Sequence, residues 1–303
     1  MADGTLRERL APPHQDHALQ ARLAAWNRAR FAMQTPPADW RAALDADAKM
    51  RREEIAFIET SRAAHAERAA EAPRDGAAFV AWFEALKQAG PGQGDPLFPW
   101  LAEQATRNQM CWFIEQEAAG EAGFDDLVAM AQVKAPVQAK LELARNYWDE
   151  MGRGNAKGMH GPMLEALVRA LGVAPRIETT IAPALALGNT MAALASNRAY
   201  AYHALGALGV IELTAPGRAA NVSAGLRRLR VSAKARHYFD LHAVLDIKHS
   251  EAWNHEVFHS IVAATPQAAR FIAEGALMRL QCGADCFDAY RRHFWGGDGK
   301  APP

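Results

Sequence analysis

The stretch Tyr238-Phe-Asp-Leu-His242-Ala-Val-Leu-Asp246-Ile-Lys-His249-Ser-Glu-Ala-Trp253 spaces two histidines and an aspartate at i, i+4 and i+7. On a helix that spacing puts His242, Asp246 and His249 on one side. Phe239, Leu241, Val244 and Leu245 around them are apolar, and no Gly or Pro interrupts the run. The segment therefore reads as a buried helix. Two imidazoles and a carboxylate projecting together from such a helix need compensation. A transition metal supplies it; so does a solvated polar face, or hydrogen bonding of the histidines within the core. The triplet alone leaves both readings open.

The rest of the chain is helical in character. Alanine is abundant and β-branched runs are rare, which favours helix over strand. Trp40 to about Ala72 predicts a long charge-laced helix lying along the outside of the molecule, and Gly76 to Ala89 a short amphipathic one. Gly90-Pro91-Gly92-Gln-Gly94-Asp95-Pro96 is the clearest break. It divides an N-terminal helical extension, residues 1–94, from a main bundle, residues 95–303. In the bundle, helices are expected over Leu97 to about Gly120, Phe124 to Ala131, Gln138 to Met151, Met163 to Leu171, roughly Ala184 to Leu213, and Ala219 to Arg230. The opening helix covers about Ser232 to Ser250 with a continuation toward Ala263, and a last pair restarts at Pro266. The fold expectation is all-α, a single bundle.

Composition narrows the function. Lys+Arg and Asp+Glu both total 34, a net charge of zero, which argues against an electrostatic nucleic-acid or membrane-surface binder. Three cysteines (Cys111, Cys282, Cys286) are too few and too odd for a disulfide framework and suit a reducing cytoplasm. The charged N-terminus lacks the apolar run of a signal peptide. The low-charge stretch from Ile181 to Thr214 is interrupted by Asn189, Asn197 and Arg198, so it reads as bundle helix rather than membrane span. The expectation is a soluble cytoplasmic protein.

Three other places supply ligand-type residues. Glu150 sits at a helix end and His160 just beyond the turn Gly152-Arg-Gly154-Asn-Ala-Lys-Gly158, whose glycines let the chain fold back so that both can face one centre. The alternative is an ordinary polar helix end and loop. Glu212 lies in the apolar segment Ala207-Leu-Gly-Val-Ile-Glu212, costly to bury unpartnered, yet Pro216 follows and fits a solvated helix end equally. Glu117 and Glu121 share a face at i, i+4, where surface charge is the plain reading. His255-Glu256-Val-Phe-His259 matches the H-E-x-x-H zinc-protease pattern. In a continuous helix, however, those histidines lie roughly 100–150° from the His242 face at about 100° per residue, so they cannot join it.

Taken in order, these pieces resemble the heme-oxygenase-like diiron oxidases and oxygenases, often labelled iron-containing redox enzymes. That family has an early-helix carboxylate, a Glu and then a His around a helix end, a lone Glu, and a final His-x-x-x-Asp-x-x-His. The matching positions are Glu117 (or Glu121), Glu150 with His160, Glu212, and His242, Asp246 and His249. The thirty residues between Glu212 and His242, Asp95-Pro-Leu-Phe98, and Tyr238 one turn before His242 also fit. The resemblance spans about residues 95 to 290.

It implies a bundle of heme-oxygenase topology holding two irons (Fe2+/Fe3+) instead of heme, with O2 as co-substrate and a small organic molecule as substrate. Family practice puts Glu150 between the metals, His160 and His249 on one iron, and His242, Asp246 and Glu212 on or near the other. Tyr147, Tyr238 and Trp253 fall near this centre in helix phase, with plain core packing as their alternative. Arg145 and Arg153 suit either a substrate carboxylate or surface salt bridges. An electron donor and a homodimer are compatible with this reading. Two competitors stand beside it. One is a metal-free enzyme of the same bundle, resembling thiaminase or the quinone-cofactor synthase. The other is a non-catalytic helical interaction protein using the charged helix from Trp40.

Overall fold

In a computed structural model, which describes residues 12–120 and 123–296, the chain forms thirteen α-helices and, among the described residues, no strand. The N-terminal part holds α1 (His17–Phe31), α2 (Trp40–Ala70) and α3 (Gly76–Ala89). Each starts on an aspartate whose side chain accepts a backbone N–H of the first turn: Asp16 from Leu19, Asp39 from Arg41 and Ala42, Asp75 from Ala78. Such caps satisfy donors the helix itself cannot and are worth about 1 kcal/mol each. The remaining helices are α4 (Leu97–Glu103), α5 (Arg107–Gly120), α6 (Phe124–Ala131), α7 (Val137–Glu150), α8 (His160–Leu171), α9 (Ala182–Ser196), α10 (Ala201–Arg228), α11 (Ala233–Ala252), α12 (Ser260–Ala264) and α13 (Ala268–Trp295).

The axis of the bundle is α10, packed against α4, α11 and α13. Its closest crossing is with α13, at Gly206 and Gly275. A Cβ on Gly206 would stand 1.9 Å from the Ile272 carbonyl oxygen, and one on Gly275 would stand 2.0 Å from that of His203. Only glycine lets the two backbones meet there. Beside the crossing, the buried Glu274 accepts hydrogen bonds from Arg62 on α2 and Arg270, and pairs with His203.

The N-terminal helices are built into the core. Leu23, Phe57, Ile58, Phe79 and Phe83 belong to one apolar cluster with Leu208, Trp253, Phe258 and Leu277. A second cluster gathers Phe98, Phe113, Phe287 and Tyr290. Full burial of a side chain of Phe size contributes about 1.5–3 kcal/mol, so these aromatic contacts anchor both ends. The long helix predicted from Trp40 forms and is mostly exposed, burying Glu54, Phe57, Ile58 and Ala69.

Several local expectations are corrected. The stretch predicted as one helix from Ala184 breaks at Asn197, whose side chain caps a short 3-10 turn by accepting from Ala199 N–H. Pro216 ends nothing: α10 runs through it to Arg228. α11 is buried on one face only, with Val244 65% and Ile247 47% exposed. It continues through a π-helical turn at Trp253–His259 into α12. That turn buries Trp253, Asn254, Val257 and Phe258 and leaves His255 and His259 exposed. No described helix is long and apolar enough to cross a membrane.

Candidate metal centre

α11 brings its three residues to the interior side, as the i, i+4, i+7 spacing requires. His242 Nδ1 is 2.7 Å from the Tyr238 carbonyl oxygen. A carbonyl only accepts, so Nδ1 carries the proton and Nε2 presents a lone pair. Two turns on, His249 Nε2 is 3.1 Å from Asp149 Oδ2 and Nδ1 is 3.4 Å from Glu212 Oε2. The Asp149 contact fixes the ring and directs Nδ1 at Glu212.

Glu150 closes α7 on the same face as Asn146, one turn earlier, and both are buried. The chain then reverses through Gly152 (φ 60), Arg153 (φ 54) and Gly154 (φ 83). A Cβ on Gly152 would lie 2.3 Å from the Gly158 backbone, so the reversal needs that glycine. It sets His160 at the start of α8 with Nδ1 2.6 Å from Glu150 Oε2, a contact lacking hydrogen-bond geometry. Glu212 comes from α10. Its Oε1 accepts from Asn146 Nδ2 at 2.7 Å. Pro216 has no N–H to offer the Glu212 carbonyl, which loosens the helix ladder at that turn.

These side chains form two sets that share Glu150: Glu150 with His160 and His242, and Glu150 with Glu212 and His249. Within each set the ligand-type atoms lie within 4.8 Å of one another. The His160 and His242 rings are 4.5 Å apart, edge to face. His160 therefore shares a set with His242, whereas the resemblance implied it beside His249. Asp246 is buried on α11 between His242 and His249 but falls in neither set.

The electrostatics reflect crowding. Burial, and then the charges of Glu212 and Glu150, push the Asp246 carboxyl up to about 9. Burial, with Glu212 beside it, also holds Glu150 well above its ordinary value. Burial pulls His160 and His242 down to about 4. For His249 burial acts downward too, but Glu212 and Asp149 outweigh it and raise the imidazole to about 9. Buried polar atoms normally find partners. Here Asp246 Oδ1, His160 Nδ1 and His249 Nδ1 are buried without a hydrogen bond. Three carboxylates and three imidazoles around such orphaned atoms fit divalent transition-metal ions, and the mixed O/N donor set suits iron.

The cluster opens on a cavity of about 190 Å³, lined among others by Phe98, Phe113, Leu164, Met191, Phe239 and Phe287. Tyr238 also lines it, its ring 4.2 Å from that of His242. Glu117 reaches this cavity but joins neither set; it accepts a hydrogen bond from Tyr290 Oη at 2.8 Å and faces Arg218 and Arg279. Glu121 lies outside the described residues. Tyr147 packs on the main apolar core, and Trp253 is fully buried with its Nε1 unpartnered. Arg145 and Arg153 form outward ion pairs with Glu142 and Asp149. His255 and His259 join neither set.

Four further contributors carry no local sequence signal that marks them. Asp149 and Asn146 orient His249 and Glu212. Asp125, in the first turn of α6, lines the cavity and acts electrostatically on both Glu150 and His160. Arg218 lies six residues beyond Glu212 on the cavity face of α10. Asp125 is the hardest to find, since Asp125-Asp126 reads as an acidic pair stabilising a helix start.

A family model described as "Iron-containing redox enzyme" matches residues 111–284, more than half of the chain, from within α5 to the middle of α13. Two solved structures of a CADD-like protein of unknown function from Nostoc punctiforme share the fold. One matches at 20% identity and TM-score 0.52, covering 67% of this chain and 91% of its own. The other matches at 20% and 0.51, covering 69% and 91%. No curated protein matches the chain.

Proposed function

The chain belongs to the iron-containing redox enzyme family, and on that premise we propose that it is a non-heme diiron enzyme using O2 to oxidise a small organic substrate. The observation that carries the reading is the sharing of Glu150 by two carboxylate–histidine sets, in which the buried His160 Nδ1 and His249 Nδ1 lack hydrogen bonds. Glu150, common to both sets, would serve both irons. His160 and His242 would hold one, Glu212 and His249 the other, with Asp246 between them and Asp125 as the further carboxylate. When bound, the iron pair supplies the electrons for dioxygen activation.

The remaining work belongs to the chain. The Tyr238 carbonyl and the Asp149 carboxylate keep His242 and His249 in the tautomers that offer Nε2 and Nδ1 inward. Asn146 holds one oxygen of Glu212, leaving the other toward His249. Phe98, Phe113, Leu164 and Phe287 wall the cavity with apolar surface, which excludes bulk water from the reacting substrate. An external electron donor is the partner this reading calls for.

The cysteine variant of a metal-free enzyme finds little support: Cys282 and Cys286 are buried, and burial pushes Cys282 up to about 11, away from thiolate chemistry. For an interaction protein, the exposed flank of α2 would be the working surface and the cluster only structural. Anaerobic loading with Fe2+ followed by oxygen-uptake measurement separates these readings. Wild type should consume O2 above the free-iron background, and a folded His242→Ala variant should not. Uptake equal in both proteins overturns the proposal.

A further inference from the structure

One cavity joins two polar groups of opposite character. Asp125, Glu150, Glu212 and Asp246 gather around the histidines, whereas Arg218 and Arg279 line the same space with Glu117 as their acidic neighbour. Along α10, Glu212, Ala215, Arg218 and Val222 share the cavity face, so Arg218 stands about 9 Å further along the axis than Glu212. The cavity thus runs from an acidic end to a basic end.

The basic end is built and left in charge surplus. Arg218 donates to Thr214 Oγ1 at 2.7 Å, and its guanidinium carbon sits 5.9 Å and 5.4 Å from the Phe98 and Phe287 ring centroids. These contacts orient the fork without neutralising it. Arg279 Nε is buried with no hydrogen-bond partner. Its Nη1 lies 3.2 Å from where a Cβ on Gly283 would stand, so the missing side chain there leaves room for the guanidinium at the cavity wall. Among the described residues neither arginine forms an ion pair. Glu117 is shared with Tyr290, and the nearby Asp285 accepts from Gln281 and lies 3.8 Å from His14. Two cations face one carboxylate, so the end is positive whether or not Glu117 is ionised. An uncompensated buried charge is costly, and a bound anion removes that cost.

We infer that Arg218 and Arg279 form the anchoring subsite for a small carboxylate substrate, holding its carboxylate at the basic end while its apolar body reaches the acidic cluster. Guanidinium forks match a planar carboxylate. Among the described residues lining the cavity Arg218 and Arg279 are the only arginines or lysines, which fixes the direction of binding. Size limits the body: an apolar cavity of about 150 Å³ takes one benzene, so about 190 Å³ admits a ring or a chain of about six carbons. This inference rests on the cavity being the substrate site of the proposed enzyme.

The test is calorimetric titration of the full-length protein, iron-loaded and again after chelation, with hexanoate and its neutral isostere hexanamide. Hexanoate should bind at least about tenfold more tightly than hexanamide in both forms. Arg218→Gln and Arg279→Gln should each lose about tenfold for hexanoate and little for hexanamide, while Arg218→Lys keeps part of the preference. Equal affinity of wild type for the two compounds overturns the inference without recourse to any variant. So does a preference that disappears on chelation, which would place the carboxylate on the metal. A preference retained by both folded Arg→Gln variants overturns it as well. If wild type takes up no iron, the diiron reading fails while the comparison in chelated protein still judges the subsite.

Discussion

Asp149→Asn tests how the protein directs a histidine at the metal centre. Asp149 lies outside both ligand sets but accepts the Nε2 proton of His249 at 3.1 Å, which leaves Nδ1 facing Glu212. Losing such a partner typically costs 10–100-fold in metal affinity. Two features place this position at the lower end: the Asp149 side chain is 19% exposed, and Arg153 already binds its other oxygen at 2.6 Å. Asparagine keeps an acceptor oxygen and loses only the charge, so about tenfold weaker binding at the second iron is expected, or about 1.4 kcal/mol. Asp149→Ala also removes the acceptor and should approach 100-fold. Arg153 is 71% exposed and touches no ligand directly, so Arg153→Gln should change affinity less than about threefold. Anaerobic competition for Fe2+ against a chromogenic chelator reads all three variants. If both Asp149 variants bind two irons as tightly as wild type, His249 does not ligate through Nδ1 and the arrangement argued above is wrong.

Gly206→Ala should destabilise the fold by about 3 kcal/mol or more, since its Cβ meets the Ile272 carbonyl oxygen at 1.9 Å; a chemical denaturation midpoint unchanged from wild type would contradict the crossing. Glu274 is held at about 2: burial acts upward, but hydrogen bonds from His203, Arg62 and Arg270 outweigh it. Its folded value lies below the ordinary 4.5, so its contribution, about 3 kcal/mol, is complete above pH 4.5 and is lost as pH falls toward 2. The stability gap between wild type and Glu274→Gln should therefore shrink by more than half between pH 7 and pH 3, and a constant gap in urea titrations would count against the network. Glu117→Gln should leave the iron count per chain unchanged, whereas Asp125→Ala should lower iron affinity at least about tenfold; the reverse order in metal analysis would restore Glu117 as the early carboxylate.

The parts of this molecule that were legible in its sequence are those encoded locally. His242, Asp246 and His249 sit on one uninterrupted helix, so their common side follows from spacing alone. Glu150 and His160 are joined by a turn whose glycines announce a reversal. Glu212 stood out because a carboxylate in an apolar run needs a reason. What escaped depends on packing between distant segments. Pro216 signals a helix end by propensity, but α10 is held on three sides by α4, α11 and α13, and tertiary contacts override the local cost. The π-helical turn at Trp253 places Trp253 and Phe258 in the core, a result of neighbours rather than of periodicity. Arg218 and Arg279 line one cavity because α10 packs along α13, although they are far apart in sequence. Glu117 had suitable spacing but found Tyr290, 173 residues away, as its partner.

Whether Glu150 joins two metal positions is read by iron counting under anaerobic Fe2+ titration. Wild type should bind two irons per chain and a folded Glu150→Ala variant should lose both, because each set depends on that carboxylate. One iron per chain at saturation, or a Glu150→Ala protein that still binds two, would contradict it.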